Sequence, residues 1–174
     1  MTHHRRRNNG IDPSKINETV ELSPAQRYAA FKQTQAKQRT VAAEFARSMP
    51  FELDEFQMQA NDALEAGDNV LVAAPTGAGK TVAADFAIYL AQTRNVKAFY
   101  TTPIKALSNQ KYHDLVDQYG TDKVGLLTGD TSINSEADIV VMTTEVLRNM
   151  LYEHSVTLEA LRYVILDEVH YLAD

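Results

Sequence analysis

The 174-residue chain contains no cysteine and no tryptophan, and it has only five prolines and seven glycines. The absence of cysteine excludes disulfide bonds, thiolate zinc sites and cysteine nucleophiles. No apolar run approaches the roughly 20 residues of a membrane-spanning helix. Residues 1–10 carry arginine and asparagine but lack the apolar stretch of a secretory signal. We therefore expect a cytoplasmic, monomeric protein that has no contact with a membrane.

The charge is divided unevenly along the chain. The net charge is -6, but residues 1–47 carry nine Lys/Arg against four Asp/Glu, whereas the remainder carries eight against nineteen. This asymmetry indicates a basic arm ahead of an acidic domain. Bulk charge therefore disfavours nucleic-acid binding by the domain. If the domain binds nucleic acid, it must use placed backbone amides and hydroxyl groups.

The first fifty residues contain two kinds of segment. Residues 1–23 are polar and aperiodic, which predicts a disordered basic arm. Ser23 followed by Pro24 is typical of a helix start. Alanines and scattered aromatic residues then predict one helix that continues to about Arg47, within a helical segment at 24–49. Met49-Pro50 ends that segment, because the residue before a proline disfavours helical backbone.

From residue 50 to residue 174 short apolar strands alternate with helical patterns, so we expect an α/β domain with a parallel sheet covered by helices on both faces. Strands are predicted at 69–74, 97–101, 124–127, 139–142 and 163–166. Helices are predicted at 54–65, 79–92, 104–119 and 144–151.

A glycine-rich loop directly follows the first predicted strand and opens a helix. It consists of Ala74, Pro75, Thr76, Gly77, Ala78, Gly79, Lys80 and Thr81, which is the phosphate-loop pattern with alanine in place of the first glycine. Gly77 and Gly79 let the backbone turn its N–H groups toward phosphate oxygens. Lys80 supplies a charge for the β and γ phosphates, and the Thr81 hydroxyl is a candidate Mg²⁺ ligand. This loop predicts ATP binding.

Two acidic residues follow the last predicted strand. The carboxyl ends of parallel strands are where open α/β sheets bind their ligands, so Asp167 and Glu168 should lie beside the phosphate loop. Asp167 is then a candidate Mg²⁺ ligand, and Glu168 is a candidate base that activates water. His170 follows them, and its sequence position alone gives it no role.

Six segments together resemble the DExH helicases of superfamily two. The loop is similar to their motif I, and Asp167-Glu168-Val169-His170 is similar to the DExH form of motif II. Phe51 to Gln57 resembles the Q-motif region, and Thr101 to Leu107 resembles motif Ia. Leu127-Thr128-Gly129-Asp130 and Thr143-Thr144-Glu145 resemble the later strand-contacting motifs. In combination they look most like the superkiller-type branch of RNA helicases, which also has bacterial members.

The resemblance implies a RecA-like domain that binds ATP with Mg²⁺ and grips single-stranded RNA or DNA. Gln57 would read the adenine edge and Phe51 would pack on its ring. His170 would belong to the nucleotide site. The nucleic-acid backbone would be bound by residues of the strand-contacting motifs, namely Thr102, Pro103, Lys105, Gly129, Asp130, Thr143 and Thr144.

The family pattern also includes a motif III, a second RecA-like domain and arginine fingers, none of which this sequence contains. An arginine finger is worth roughly 10³ to 10⁵ in rate, so we expect this chain alone to bind nucleotide with little or no turnover. The alternatives are a P-loop ATPase of another class, such as a transporter ATPase, a small nucleotide kinase or a GTPase, and a non-catalytic nucleotide-binding module.

Overall fold

A computed structural model describes residues 23–75 and 77–169 of the chain. The chain divides into two compact units, and the boundary lies between Arg39 and Thr40. The elements are, in order, α1 (Pro24–Gln38), α2 (Val41–Ser48), α3 (Glu55–Ala66), α4 (Thr81–Thr93), β1 (Lys97–Thr102), α5 (Lys105–Tyr119), β2 (Val124–Leu127), β3 (Ser132–Ile133), β4 (Ile139–Thr143), α6 (Thr144–Tyr152), a 3-10 helix (Val156–Leu158) and β5 (Leu161–Leu166). No helix in these two ranges is long and apolar enough to cross a membrane.

The helical segment before residue 50 is two helices, so the prediction of one helix is wrong. α1 starts as expected, because Ser23 and Gln26 exchange side-chain and backbone hydrogen bonds. Thr40 is the N-cap residue of the second helix, α2. Its backbone is extended, and its hydroxyl oxygen accepts a hydrogen bond from the amide of Ala43. The Glu65 carboxylate accepts two further amides at the start of α2, at 3.0 and 2.7 Å. A threonine cap and a carboxylate from α3 thus stabilise a new helix start at this point. The predicted disordered arm lies outside the described residues.

The sheet has five strands in the order β3-β2-β4-β1-β5. β1 lies between β4 and β5 and pairs with both in parallel, and β2 pairs with β4 in parallel. The short β3, which the sequence did not predict, pairs antiparallel with β2. The sheet is therefore parallel apart from this edge, and the predicted parallel architecture is confirmed.

Helices pack on both faces of the sheet. On one face Ile88 of α4 and Leu115 of α5 pack with Tyr100 of β1. On the other face Leu147 of α6 packs with Phe99 and the neighbouring residues of β4. The alternation of side chains along β1 thus supplies both cores.

The prediction of a strand at residues 69–74 is wrong. Residues 69–74 belong to neither a strand nor a helix, and they form no ladder with another strand. A strand needs a neighbour for its backbone groups, and a cavity separates this segment from β5. Within the described residues β5 pairs with β1 only, and Leu71, Val164 and Leu166 are 81%, 45% and 49% exposed. The other predicted strands and helices match observed elements with small shifts at their ends.

Candidate functional site

The phosphate loop has the backbone that its glycines predicted. Gly77 and Gly79 both adopt positive φ angles, 82° and 76°, in the region that favours glycine. Between them Ala78 donates its amide to the carbonyl of Pro75 at 3.2 Å. α4 then begins at Thr81, so its first amides lie directly after the loop. This is the geometry that gives a helix start its affinity for phosphate.

Gln57 connects α3 with the phosphate loop. Its Nε2 donates to the carbonyl of Gly79 at 3.0 Å, and its Oε1 accepts the amide of Asp54 at 2.8 Å. The side chain is buried, and a Cβ on Gly79 would lie 2.5 Å from Nε2. Both ends of the amide are thus engaged within the protein. Reading an adenine edge, as predicted, would require the amide to exchange one of these bonds.

The charged and hydroxyl groups of the loop are exposed. Lys80 and Thr81 are accessible, and Lys80 Nζ donates to the carbonyl of Ala74 at 2.8 Å. This hydrogen bond holds the lysine side chain against the first residue of the loop. Exchanging a neutral carbonyl for a phosphate oxygen would give it a stronger, charge-assisted partner.

Asp167 and Glu168 follow β5 at its carboxyl end, as predicted. The amide of Asp167 donates to the carbonyl of Thr101 at 2.9 Å, which continues the pairing with β1. Glu168 has a positive φ of 52°, unusual for a residue with a side chain, and its amide donates to Asp167 Oδ1 at 2.9 Å. The hydroxyl of Tyr100 donates to the other oxygen, Oδ2, at 2.6 Å. Both carboxylate oxygens of Asp167 are therefore oriented.

One cavity of about 890 Å³ brings these groups together. Its lining includes Lys80, Thr81, Asp167 and Glu168, together with apolar residues of segment 69–74 and of β5. The two motifs are distant in sequence, and they meet because the loop and the end of β5 lie at the same edge of the sheet. This is the place where open α/β sheets bind ligands.

The same groups fit a magnesium ion that is shared with a nucleotide. Mg²⁺ prefers oxygen ligands and is usually held by one or two protein groups together with phosphates and water. Thr81 offers a hydroxyl and Asp167 a carboxylate in the same cavity. Among the described residues no cluster of three or more His, Cys, Asp or Glu side chains forms a separate cage.

The threonines of the predicted nucleic-acid site lie at the neighbouring strand ends. Thr102 is only 2% exposed, and its hydroxyl contacts Ser108 Oγ at 2.7 Å and donates to the carbonyl of Ile104 at 3.1 Å. The hydroxyl of Thr144 donates to the carbonyl of Thr102 at 3.2 Å. The Thr102 hydroxyl therefore ties the end of β1 to α5, and the Thr144 hydroxyl ties the start of α6 to the end of β1.

Lys105 and Asp130 form an ion pair between α5 and the turn after β2. The distance from Nζ to Oδ2 is 2.5 Å, and Thr128 donates to the other carboxylate oxygen at 3.0 Å. The hydrogen bond from Lys105 holds the pKa of Asp130 below its usual value, and the bond from Thr128 acts in the same direction. Two predicted contact residues are thus brought together and partly neutralise each other.

The remaining predicted residues occupy varied positions. Phe51 is half exposed ahead of α3, Gly129 is exposed in the turn beside Asp130, and Thr143 is the N-cap residue of α6. Pro103 follows β1 directly. Thr76 and His170 lie outside the described residues.

Comparison with known proteins identifies the domain. The DEAD/DEAH box helicase family model matches residues 54–174. "Probable helicase HelY" of Mycobacterium tuberculosis H37Rv is 62% identical over 130 residues, which are 75% of this chain and 14% of that protein. "Antiviral helicase SKI2" of Saccharomyces cerevisiae is 52% identical over 129 residues, which are 74% of this chain and 10% of that protein. The chain thus spans a small part of the length of these relatives.

Solved structures agree with this result. The hypothetical ATP-dependent RNA helicase of Sulfolobus tokodaii has a TM-score of 0.57 and 28% identity, over 76% of this chain and 42% of that one. The Mycobacterium smegmatis helicase Lhr has a TM-score of 0.58 and 30% identity, over 76% of this chain and 20% of that one. The RecA-like fold and the superkiller-type resemblance are therefore confirmed, and the chain belongs to the DEAD/DEAH box helicase family.

Proposed function

We propose that this chain is the first ATP-binding domain of a longer helicase that couples ATP hydrolysis to movement along single-stranded RNA. The observation that carries the proposal is the single cavity that contains Lys80, Thr81, Asp167 and Glu168. The cavity brings the phosphate loop and the two carboxylates after β5, the two parts of an ATPase site, together at one edge of the sheet. The predicted nucleic-acid residues lie at or just after the ends of β1, β4 and β2, strands of the same sheet.

ATP would bind with its phosphates on the amides of the glycine-rich loop and the start of α4. Lys80 would leave the carbonyl of Ala74 and donate to the β and γ phosphates. Thr81 and Asp167 would hold Mg²⁺, which neutralises the phosphate charge when it is bound. Gln57 holds the loop in place through its hydrogen bond to the carbonyl of Gly79.

Glu168 would accept the proton of the attacking water. Glu168 has a positive φ and comes just after the end of β5, where its side chain is exposed at the cavity. A residue held in an uncommon backbone conformation at a ligand site is often functional. General base catalysis of this kind typically contributes about 10² to 10⁴ in rate.

Nucleic acid would be bound through backbone amides at the starts of α5 and α6. Their N-cap residues, Ile104 and Thr143, make no side-chain cap hydrogen bond. Amides of this kind can donate to phosphates without reading sequence. Support comes from Lhr, whose structure was solved with single-stranded DNA and AMP-PNP bound. RNA as the substrate is supported by the Arabidopsis relative named DExH-box ATP-dependent RNA helicase DExH11, which is 50% identical.

The proposal includes a second RecA-like domain outside this chain, since the chain spans 10–14% of the length of its similar curated relatives. An arginine finger from such a domain would supply roughly 10³ to 10⁵ in rate. This chain alone would therefore bind Mg-ATP and turn it over very slowly. We further propose that the protein acts in the cytoplasm as a monomer.

The test is the Glu168→Gln variant of the full-length protein. RNA-stimulated ATP hydrolysis should fall by about 10² to 10⁴, whereas ATP affinity should change little, because only the water-activating group is altered. Hydrolysis is measured by phosphate release with and without single-stranded RNA, and binding by calorimetry. Glu159→Gln, a change before β5 and away from the cavity, is the matched control.

Two results would contradict the proposal. Wild-type hydrolysis that RNA and DNA leave unchanged would favour an ATPase of another class. Nucleotide binding without any hydrolysis in the full-length protein would favour a non-catalytic nucleotide-binding module.

A further inference from the structure

Tyr100 is a tyrosine in the middle of a buried strand, and its hydroxyl reaches the candidate active site. The residue is 1% exposed, and its ring packs with Ile88, Leu115 and other core residues. Its hydroxyl donates to Oδ2 of Asp167 at 2.6 Å. A carboxylate can only accept, so the direction of this hydrogen bond is fixed while Asp167 is ionised.

The register of β1 and β5 explains how the contact arises. Tyr100 lies opposite Ile165, and Asp167 comes two residues further along the same chain. Side chains two residues apart share a face of the strand, so Asp167 projects on the same side of the sheet as Ile165. The tyrosine side chain is long enough for its hydroxyl to reach Asp167 across this offset of two residues. A phenylalanine would fill the same core without a donor, so core packing alone does not require the hydroxyl.

Tyr100 is itself held in place by a contact with helix α5. Lys111 Nζ of α5 lies 4.9 Å from the centroid of the Tyr100 ring. The same Nζ forms an ion pair with Asp85 of α4 at 3.0 Å, and both side chains are largely buried. Asp85 lies one helical turn after Thr81. The helix that starts at the phosphate loop is therefore connected through Lys111 and Tyr100 to the carboxylate of Asp167.

We propose that Tyr100 is a positioning residue for Asp167, fixing one carboxylate oxygen so that the carboxylate meets nucleotide-bound magnesium in a single orientation. The amide of Glu168 fixes the other oxygen. The inference rests on the proposed ATPase function. It predicts that removing the hydroxyl weakens the contribution of magnesium to nucleotide binding and leaves nucleotide binding without magnesium unchanged.

The experiment compares wild type with Tyr100→Phe in the full-length protein. Affinity for a fluorescent, non-hydrolysable ATP analogue is measured with Mg²⁺ and with EDTA, and the ratio of the two affinities is the magnesium benefit. Loss of a group that orients a metal ligand typically costs about 10- to 100-fold. We expect the magnesium benefit to fall by about 10-fold in Tyr100→Phe and the affinity in EDTA to be unchanged.

Tyr119→Phe is the matched control. It removes the hydroxyl of another tyrosine, which packs against the same core cluster as Tyr100 and does not line the cavity; that hydroxyl accepts a hydrogen bond from Gln118 at 3.4 Å. Its magnesium benefit should equal that of wild type. Asp167→Asn supplies a second comparison, because Tyr100→Phe should have no additional effect when the carboxylate through which it acts is absent.

The outcomes are distinguishable. If the wild-type protein binds no nucleotide with Mg²⁺, the proposed function fails. If wild type shows a magnesium benefit and Tyr100→Phe keeps it in full, the function stands and the positioning role is overturned. A melting curve checks the fold of the variant. If Tyr100→Phe is unfolded, 4-fluorophenylalanine at position 100 retains nearly the same shape and removes the donor, so an unchanged magnesium benefit in that protein overturns the proposal.

Discussion

The proposed nucleotide side and the proposed nucleic-acid side of this domain use hydroxyl residues at the same sheet edge in opposite ways. On the nucleotide side Lys80 and Thr81 are exposed, and they share a cavity with Asp167. On the nucleic-acid side Thr102 is buried, and its hydroxyl is bonded within the protein. A hydroxyl residue after a strand can therefore be an available ligand or an internal connection. The difference indicates that helix amides, more than threonine hydroxyls, are available to hold a nucleic-acid backbone.

The largest expected effect in this comparison is that of Lys80→Ala on the nucleotide side. A charged donor to a phosphate is worth about 1.5 to 3 kcal/mol, so affinity for Mg-ATP should fall by about 10- to 100-fold. Calorimetry with Mg-ATP measures this change, and single-stranded RNA affinity without nucleotide should stay the same. Lys97→Ala is the control, because Lys97 is the first residue of β1 and lies at the other end of that strand from the sheet edge that carries the phosphate loop. Unchanged ATP affinity in Lys80→Ala would remove the phosphate loop from the proposed role.

Thr102→Val should have an intermediate effect, and on stability more than on binding. The change removes a buried hydroxyl and leaves Ser108 without its closest partner, which costs about 1 to 3 kcal/mol. Urea unfolding measures the loss, and RNA affinity in the folded protein should change less than twofold. Thr121→Val, at an exposed position, is the control. A large loss of RNA affinity with unchanged stability would show that the Thr102 hydroxyl contacts the nucleic acid after all.

The smallest effect should come from Asp130→Asn, which releases Lys105 from its ion pair. A domain that grips nucleic acid mainly through amides should show a salt slope of about one to three, expressed as the fall in log affinity per log salt. Freeing one lysine to neutralise a phosphate should raise that slope by about 0.7 and strengthen binding at low salt. RNA binding across a salt series, with and without residues 1–23, measures both values. A steep wild-type slope that survives removal of the arm would contradict the amide-based interpretation.

The sequence predicted those features that depend on local pattern. The parallel strands and their helices were found because apolar periodicity is local, and the phosphate loop because its glycines, lysine and threonine are contiguous. The strand at 69–74 was predicted wrongly, since a ladder depends on a neighbour that the segment itself does not specify. The break at Thr40 depends on Glu65, which is also distant in sequence.

Two features of the site required the register of the strands and the packing of the helices. Tyr100 looks like a core aromatic in sequence, and only its register with β5 brings the hydroxyl to Asp167. The one sequence signal for this contact was that Tyr100 stands in a strand predicted to be buried, because the hydroxyl of a buried tyrosine usually has a hydrogen-bond partner. The Lys105–Asp130 pair joins separate elements, so neither residue alone indicated that its charge would be compensated.

The open edge of β5 affects how the isolated chain should behave in concentrated solution. An edge strand with accessible backbone groups and exposed apolar side chains is a template on which another extended segment can add. Val164 and Leu166 lie on this strand, and Leu71 faces the same opening. Self-association through strand addition should therefore increase with protein concentration. An extended peptide of alternating apolar residues that occupies the edge should suppress it.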